Sequence, residues 1–543
     1  MIAIAALALI TAHFDWFDYQ GKNPDGAVAK AGEFRNPVLP GFYSDPSVLR
    51  VGTDYYLVIS TFSYFPGLPV FHSRDLVHWR QIGNAIDRPT QVDFGKLEMS
   101  RGLFAASLSY HDGRFLIINT CVDCGGNFIL TAKNPAGPWS DPIWIKGLNG
   151  AIDPSLFFAS DGTRWIVYNG PPPGTPRYEG HRAIWLQQID AAFHTVGAPT
   201  VLVDGGIHPE ANPVWIEGPH LFAKDGRIYL IAAEGGTAVR HSEVVLRSRS
   251  VTGPFEIFAD NPILTQRDLP RDRAYPVTSA GHAQFVEAPD GQWWATFLAT
   301  RPYSDDNYNI GRETFLMPVR WKDGWPRITV PGEAVPLTLR APVAATNTDR
   351  RARDGSVSLR EDFSSSTLGP EWMMMRNPRT RWYGLSGGAL SLDARPVSIG
   401  DFGNPSFVGR RLQHPDATVA TRVRFAPQKE GDEAGLVAIQ NDAFWLFAGI
   451  GRSGGHDVVM LKRRAGLTVP AEGETIATAP VDPARPVDLR MTMAGATARF
   501  AWRQGGAWQV LGPVQDSTIL STHRAGGFVG ALAGLYAHSG GTQ

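Results

Sequence analysis

The chain is poor in cysteine and nearly neutral, and it has no long apolar run. Its 543 residues include two cysteines, Cys121 and Cys124, and zinc would need a second pair of ligands that the sequence does not show. The formal net charge is -1, and charged residues make up 19% of the chain, so nucleic-acid binding has no electrostatic support. No segment approaches a membrane span, so we expect no membrane partner.

The one apolar stretch of note lies at the N-terminus. Residues 2–10 are apolar and too short to cross a bilayer, but they fit the core of a signal peptide. We therefore predict a signal peptide and extension over residues 1–29 and a secreted or periplasmic protein. The protein is cytoplasmic if residues 1–12 are not a signal peptide. In an oxidising compartment Cys121 and Cys124 could form a small disulfide.

What the chain has in abundance is aromatic residues and turn formers. It contains 28 Phe, 16 Trp and 14 Tyr, with 58 Gly and 41 Pro placed between short apolar runs. This mixture favours β-strands joined by tight turns over helix bundles. The length indicates more than one domain.

Five stretches repeat one pattern, in which a leading residue precedes a strand-like run, a turn and an apolar run. The leading positions, which we call slots, are Asp45, Ala105, Asp153, Glu217 and His282. They are 60, 48, 64 and 65 residues apart. Repeats of this kind suggest the blades of a β-propeller, in which equivalent positions converge on one central pocket. We predict a five-bladed propeller over residues 30–338.

The residue composition and the apolar pattern change after the repeats. Residues 339–358 lose apolar periodicity and predict a linker. Residues 359–543 predict an antiparallel β-sandwich of the concanavalin or lectin-like jelly-roll type, so the fold class is all-β. Its expected strands are Thr418–Phe425, Gly435–Gln440, Phe444–Gly449, Val458–Lys462, Val487–Met493, Ala498–Trp502 and Trp508–Leu511.

The acids in the slots have the properties of catalytic groups. Asp45, Asp153 and Glu217 are flanked by apolar or aromatic residues and followed closely by proline. An isolated Asp-Pro is an ordinary turn signal, but the common register of the three acids favours a functional role. Burial beside other acids raises a carboxyl pKa, so one group could donate a proton while another accepts one. Glycoside hydrolysis needs such a pair.

Several further residues are candidates for the same pocket, each with a structural alternative. His282 is either a buried core histidine or a pocket residue that donates a hydrogen bond or holds a water or metal. Arg312 is either a surface charge or a ligand for a sugar hydroxyl or a carboxylate. Phe62 and Phe104 are either core residues or flat walls against a sugar ring.

Three motifs resemble glycoside hydrolase family 43, in particular its β-xylosidase and α-L-arabinofuranosidase branch. They are Tyr43-Ser44-Asp45-Pro46-Ser47, Ile152-Asp153-Pro154-Ser155 and Trp215-Ile216-Glu217-Gly218-Pro219. The resemblance is dense over residues 34–330. It continues at Asp362-Phe363 and at residues 368–372, which look like the accessory sandwich of that branch.

The resemblance implies a five-bladed propeller and an inverting mechanism. Asp45 would be the general base, Glu217 the general acid, and Asp153 the residue that orients Glu217 and keeps its pKa high. Arg312 would hold the non-reducing sugar.

The resemblance also assigns the residues around that sugar. Phe62 would line the pocket, and Thr237 matches a further pocket position. His282 would lie behind the site, near a water or a structural Ca²⁺, and no cofactor would be required.

Two departures from the family pattern concern the aromatic walls. The family often has Trp-Ala-Pro where this chain has Phe104-Ala105-Ala106, which puts the stacking wall at Phe104 in question. Near the C-terminus the branch often has Phe-Thr-Gly-Ala-Phe, where residues 528–532 read Phe-Val-Gly-Ala-Leu. Phe528 is therefore a candidate for an aromatic residue that the sandwich contributes to the pocket.

We accordingly predict a glycosidase that releases terminal xylose or arabinofuranose from xylo-oligosaccharides or arabinoxylan, with β-xylosidase as the first expectation. An α-L-arabinofuranosidase or a dual-activity enzyme is the alternative within the same class. A carbohydrate-binding propeller without catalysis is the alternative from another class. A five-bladed enzyme acting on fructosides is a third possibility, although its signature around the first Asp differs.

Overall fold

The computed structural model describes residues 10–148, 150–342 and 353–540. Within these ranges the ordered structure is almost entirely β-strand. Short helical turns occur at Pro209–Ala211, Ser517–Leu520 and Thr522–Ala525. No helix in the described ranges is long and apolar enough to cross a bilayer.

Five antiparallel sheets form the propeller blades, which we number in chain order. Blade 1 comprises Ser47–Val51, Asp54–Val58, Gly67–Ser73 and Arg80–Ile86. Blade 2 comprises Gly102–Leu103, Ser107–His111, Arg114–Val122, Gly126–Ala132 and Ile143–Trp144. Blade 3 comprises Ile152–Phe158, Arg164–Gly170, Ala183–Ile189 and Thr195–Asp204. Blade 4 comprises Ile216–Lys224, Arg227–Glu234, Ser242–Ser248, Glu256–Ile257 and Leu264–Thr265. Blade 5 comprises Thr278–Glu287, Trp293–Thr300, Glu313–Lys322 and Trp325–Arg327.

The ring closes because the first strand of blade 1 contacts blade 2 on one side and blade 5 on the other. A separate two-stranded ribbon, Glu33–Arg35 with Thr338–Arg340, joins the beginning of the propeller segment to its end. Cys121 and Cys124 form a disulfide in blade 2, at the turn between Arg114–Val122 and Gly126–Ala132.

Two antiparallel sheets form the sandwich. The larger sheet has nine strands: Thr11–Lys22, Val357–Glu361, Tyr383–Ser386, Ala389–Asp393, Asp416–Arg424, Val487–Ala494, Thr497–Arg503, Gln509–Val510 and Gln515–Asp516. The smaller sheet has six: Ser406–Arg411, Glu433–Asn441, Phe444–Ser453, His456–Ala465, Glu474–Pro480 and Leu532–His538. All seven predicted sandwich strands overlap observed ones, and the other strands were not anticipated.

The N-terminal strand lies in the sandwich, which differs from the expected extension over residues 1–29. Thr11–Lys22 pairs along one edge with Val357–Glu361 and Ala389–Asp393, and along the other with Asp416–Arg424. Its aromatic residues Phe14, Phe17 and Tyr19 are buried, so their contribution to the core explains why the strand docks here. Residues 1–9 lie outside the described ranges, so the signal peptide stays a prediction.

The connection between the domains is shorter than the predicted linker. Arg340 is the last residue of the ribbon strand, and Val357 begins a strand of the larger sheet, so both ends of the interval 339–358 are paired. Residues 343–352 of that interval lie outside the described ranges.

Backbone pairing and one buried arginine also join the two domains. Tyr64–Phe65 of the propeller pairs with Met374–Met375, which leads into the sandwich. The next residue, Arg376, is fully buried and binds both carboxylate oxygens of Asp442 at 2.8 Å. Its Nε donates to the carbonyl of Leu97 in the propeller at 2.7 Å. This single side chain therefore ties the sandwich to the segment between blades 1 and 2.

Candidate active site

Backbone irregularities at the inner strands position the slot side chains. The pairing register shifts between Ile152 and Ser155 in blade 3, and equivalent shifts occur after Glu217 in blade 4 and Gly281 in blade 5. Such bulges change the direction of a strand and of its side chains. Asp45, Asp153 and His282 have φ values of 55°, 50° and 54°, in the left-handed region. Strain of this kind costs about 1–3 kcal/mol per residue and is typical of functional sites.

The structure places all five slot residues in the wall of one cavity of about 280 Å³. The other predicted site residues, Phe62, Phe104, Thr237, Arg312 and Phe528, line the same cavity. Five further residues complete the wall: Arg101, Ile152, Val214, Trp215 and Gly236. The volume suits one sugar ring with polar groups placed around it.

Asp45 is held in its ionised form. Burial alone would raise its pKa, but the Arg312 and His282 charges and the hydroxyl of Ser60 outweigh burial and keep the pKa below 3.8. Arg312 Nη1 donates to Asp45 Oδ1 at 3.3 Å, and His282 Nδ1 lies 3.5 Å from the same oxygen. Ser60 Oγ donates to the second oxygen, Oδ2. Asp45 is therefore a carboxylate that can accept a proton.

The pKa values of Glu217 and Asp153 are raised, in contrast to the lowered pKa of Asp45. Burial raises the pKa of Glu217 to about 8, and the neighbouring Asp153 carboxylate adds to the rise. Burial also raises the pKa of Asp153, against the opposing charge of His282. Because Glu217 is the more strongly shifted, it is the group that keeps a proton at neutral pH. The site therefore contains one charged acceptor and one protonated donor.

The glycine after Glu217 allows the close packing of His282. Gly218 has φ 58°, and a Cβ at this position would lie 2.5 Å from His282 Nε2. Any side chain here would displace the imidazole from its place beside Asp45. The Glu-Gly-Pro sequence of blade 4 thus positions a residue of blade 5.

Three aromatic rings and an arginine form another part of the wall. Phe62 and Phe528 stack with ring centres 5.8 Å apart, and Phe104 meets Phe62 edge-on at 5.4 Å. The Arg312 guanidinium lies 5.9 Å from the Phe62 ring centre and 5.4 Å from that of Phe528. Phe528 belongs to the sandwich, so both domains build the pocket.

Trp215 and Arg182 were not among the predicted site residues. The Arg182 guanidinium lies 5.0 Å from the Trp215 ring, and its charge acts on both Asp153 and Glu217. Trp215 could have been found from its place two residues before Glu217. Arg182 has no such signal, because it lies in blade 3 outside the repeated slot.

The described residues contain no group of three or more His, Cys, Asp or Glu side chains that could hold a metal ion. Near the axis, His282 directs Nδ1 toward Asp45 and packs its ring on Gly218. A calcium ion beside His282 would therefore need ligands other than these side chains, such as water. It remains a prediction, and we assign no catalytic step to it.

A protonated carboxyl and an ionised carboxylate in one sugar-sized, aromatic-walled pocket of a propeller define an acid–base hydrolase site. Comparison with known proteins agrees. The family described as Glycosyl hydrolases family 43 matches residues 34–326, and the Beta xylosidase C-terminal Concanavalin A-like domain matches residues 360–543. The chain belongs to glycosyl hydrolase family 43. The predicted resemblance and fold class are thereby confirmed.

Relatives and solved structures match the chain over most of its length. The Xylosidase/arabinosidase of Butyrivibrio fibrisolvens is 36% identical and covers 93% of this chain and 96% of its own. The Non-reducing end alpha-L-arabinofuranosidase BoGH43B of Bacteroides ovatus is 35% identical, and the match covers 94% of this chain and 92% of that protein. The crystal structure of a GH43_12 from a capybara gut metagenome is 35% identical, with a TM-score of 0.91 over 98% of this chain and 100% of that one.

Proposed function

We propose that this glycosidase removes terminal xylose or arabinofuranose from xylo-oligosaccharides or arabinoxylan with inversion of configuration, and that β-xylosidase activity is the main one. The observation that carries the proposal is the opposite pKa shift of Asp45 and Glu217 within one small cavity. The substrate class follows the printed names of relatives, which include xylosidase and arabinosidase. Removal of terminal sugars is supported by the size of the cavity, which suits a single ring.

The proposed reaction is one displacement at the anomeric carbon. Asp45 takes a proton from water, and the water oxygen forms a bond to the anomeric carbon as the glycosidic bond breaks. Glu217 gives its proton to the departing glycosidic oxygen. The products are the free terminal sugar and the rest of the substrate, in which the former glycosidic oxygen is now a hydroxyl group. Inversion requires the carboxyl groups to be roughly 6.5–9.5 Å apart, which leaves room for the water.

The other residues have supporting roles in this proposal. Asp153 helps to keep Glu217 protonated between turnovers, because a second negative charge nearby is unfavourable. Arg312 keeps Asp45 ionised and contacts hydroxyl groups of the non-reducing sugar. Phe62, Phe104 and Phe528 provide apolar walls for the sugar C–H faces. Thr237 and His282 complete the polar lining.

Non-reducing-end α-L-arabinofuranosidase activity is the second candidate. It is favoured by the 35% identity to the Bacteroides ovatus arabinofuranosidase over 94% of this chain. The two activities use the same acid and base, so they differ only in how the pocket fits the ring. Dual activity is therefore tested by measuring hydrolysis of both a β-xyloside and an α-L-arabinofuranoside.

We also propose that the protein is exported. Residues 2–10 have the apolar character of a signal-peptide core, and the Cys121–Cys124 disulfide suits an oxidising compartment. Mass spectrometry of the protein from culture supernatant or periplasm tests this proposal. Finding the intact N-terminus in the cytoplasm alone would contradict it.

The function is tested with an aryl β-D-xyloside, an aryl α-L-arabinofuranoside and xylobiose, with the released anomer followed by NMR. Early appearance of α-xylose from the β-xyloside supports inversion, whereas early β-xylose would overturn it. Asp45→Asn and Glu217→Gln should remove nearly all turnover of xylobiose. Asp161→Asn, which alters an exposed turn aspartate of blade 3, is the matched control. Stabilisation by xylobiose without any product would instead indicate a binding protein.

A further inference from the structure

Trp215 has an unusual conformation at the edge of the cavity. Its φ is 44°, in the left-handed region that large side chains rarely adopt. The residue is half-buried and lines the cavity, and the neighbouring Val214 is 46% exposed. An indole in a strained backbone position is maintained only when its surroundings fix it, and such strain is concentrated at binding sites.

The surroundings of Trp215 fix its backbone from two sides. Its amide donates to the carbonyl of Gly180 at 3.0 Å, and the carbonyl of Val214 accepts from the amide of Gly235 at 2.9 Å. Gly180 and Gly235 both have positive φ values, 82° and 97°. The tryptophan is thus held between a loop of blade 3 and the end of a strand of blade 4.

Arg182 links this tryptophan to both acidic segments. Its guanidinium lies 5.0 Å from the Trp215 ring centre. Nε donates to Asn169 Oδ1 at 2.6 Å, and Nη2 donates to the carbonyl of Gly150 at 2.8 Å. Asn169 in turn donates from Nδ2 to the carbonyl of Ile216 at 2.8 Å. The contacts therefore connect the segment that precedes Asp153 with the residue that precedes Glu217.

We propose that Trp215 forms the wall of the subsite for the sugar on the leaving-group side of the cleaved bond, and that Arg182 holds this wall in position relative to Glu217. The proposal rests on the function proposed above. Trp215 lies two residues before the acid that protonates the leaving oxygen. A second arginine–aromatic group, Arg312 with Phe62 and Phe528, lies beside Asp45, on the side where the proposed function places the released sugar.

The flat apolar face of the Trp215 indole suits the binding of a sugar ring. A pyranose presents axial C–H groups that pack against a flat aromatic ring, while its hydroxyl groups remain in water at the pocket edge. The cation–π contact with Arg182 covers one part of the ring and limits its rotation. The ring is therefore prearranged before the sugar binds, which lowers the entropic cost of binding.

Trp215→Ala tests the wall by comparing two substrates with the same cleaved sugar. We expect KM for xylobiose to rise about tenfold, since a stacked ring contributes roughly 1–2 kcal/mol. KM and kcat for β-D-xylosyl fluoride should stay within about twofold of the wild-type values, because the fluoride leaving group does not occupy a sugar subsite. A tenfold rise in KM is expected only for a substrate that loses the stacking contact. Trp215→Phe should restore much of the xylobiose affinity. Trp144→Ala, which removes a 40% exposed tryptophan of blade 2, is the control.

The outcomes separate this inference from the proposed function. Equal losses on both substrates would mean that Trp215 only supports the fold of the pocket. No change on either substrate would mean that it contacts no sugar. Both outcomes overturn the subsite but leave the glycosidase function intact. If wild-type protein hydrolyses neither xylobiose nor xylosyl fluoride, the proposed function itself fails.

Arg182 requires a separate readout, because it is a positioning residue and contacts no substrate. Burial dominates the raised pKa of Glu217, and the Arg182 charge opposes it. Arg182→Gln should therefore raise KM for xylobiose and move the alkaline limb of kcat/KM to higher pH. Arg182→Lys keeps the positive charge but loses the several N–H donors of the guanidinium. It should therefore raise KM for xylobiose without moving the alkaline limb of kcat/KM. An unchanged xylobiose KM in both variants would overturn the role of Arg182.

Discussion

Arg312 Nη1 lies 3.3 Å from Asp45 Oδ1, although the two residues are in the last and first blades of the propeller. The preceding residue, Gly311, touches the sandwich, because a Cβ on it would lie 2.8 Å from the Cα of Gly530. Arg312 also lies against Phe528. One guanidinium therefore connects the ionised carboxylate, the ring closure and the accessory domain.

Arg312→Gln should lower kcat/KM for xylobiose by about 10²-fold, because a buried carboxylate loses its charged partner. Burial would then dominate the pKa of Asp45, which should rise. Since Asp45 must be ionised to accept a proton, the acidic limb of the pH–rate profile should move to higher pH. A lower rate with an unmoved acidic limb would contradict the role assigned to Arg312.

Glu217→Gln should change how stability depends on pH. Burial raises the pKa of Glu217 from 4.5 to about 8, so the folded state holds a proton that the unfolded state releases between these values. The contribution of Glu217 to stability is therefore complete below pH 4.5 and is lost as pH rises through 8. Glutamine does not titrate, so the variant should gain Tm over wild type increasingly from pH 5 to pH 8.

The control for this measurement is Glu287→Gln, which changes an exposed glutamate at the end of the first strand of blade 5. Its Tm change measures the effect of removing one exposed carboxylate, and the Glu217→Gln profile is compared with it at each pH. A Glu217→Gln profile that follows the control, measured by scanning calorimetry, would mean that Glu217 is ionised in the folded protein at neutral pH.

Phe528→Ala should weaken substrate binding although Phe528 is in the accessory domain. The ring stacks on Phe62 at 5.8 Å and contacts Arg312, so its loss opens the pocket at one side. We expect KM for xylobiose to rise about tenfold with a smaller change in kcat. Phe402→Ala, a change of a 55% exposed sandwich phenylalanine, should leave KM unchanged. Equal kinetics for both variants would exclude Phe528 from the pocket.

Arg376→Met should destabilise the protein by about 3–5 kcal/mol, because Asp442 would remain buried without its partner. The double variant Arg376→Met with Asp442→Leu removes both charges and should be less destabilised than the single variant. Urea unfolding of both proteins measures the difference. A double variant less stable than the single one would show that the pair is not the source of the effect.

Removal of divalent cations should leave turnover of the aryl β-xyloside within about twofold of the untreated enzyme, because bond cleavage is assigned to carboxyl groups alone. The measurement is activity after dialysis against EDTA, with and without added Ca²⁺. Activity that is lost and then restored by Ca²⁺ would show that an axial ion is required.

The repeat register made the pocket predictable from the sequence. Asp45, Asp153, Glu217 and His282 occupy equivalent blade positions, and rotational symmetry brings such positions together. Arg182 could not be found in this way, because it enters the site through the side-chain contacts of one blade. Its importance depends on distances to Gly150 and Asn169 that no repeat encodes.

The N-terminal strand shows a different limit of sequence reasoning. Residues 11–22 contain the buried aromatic residues Phe14, Phe17 and Tyr19, but a bulge between Phe14 and Trp16 breaks their alternation, and nothing local identifies the partner sheet. The partners Val357–Glu361 and Asp416–Arg424 are separated from it by the whole propeller. Residues 1–29 were therefore predicted as an extension, because the pairing of this strand depends on contacts between distant parts of the chain.

This pairing has a consequence for synthesis on the ribosome. Residues 11–22 are made before the propeller, yet the strands that pair with them in the described part of the chain are made after the five blades. The nascent chain therefore carries an aromatic-rich segment whose partner strands are made only after the propeller segment is complete. A gene fragment encoding residues 359–543 alone would yield a sheet with a gap in its middle, whereas a circular permutant that places residues 11–22 next to that fragment would supply the missing strand.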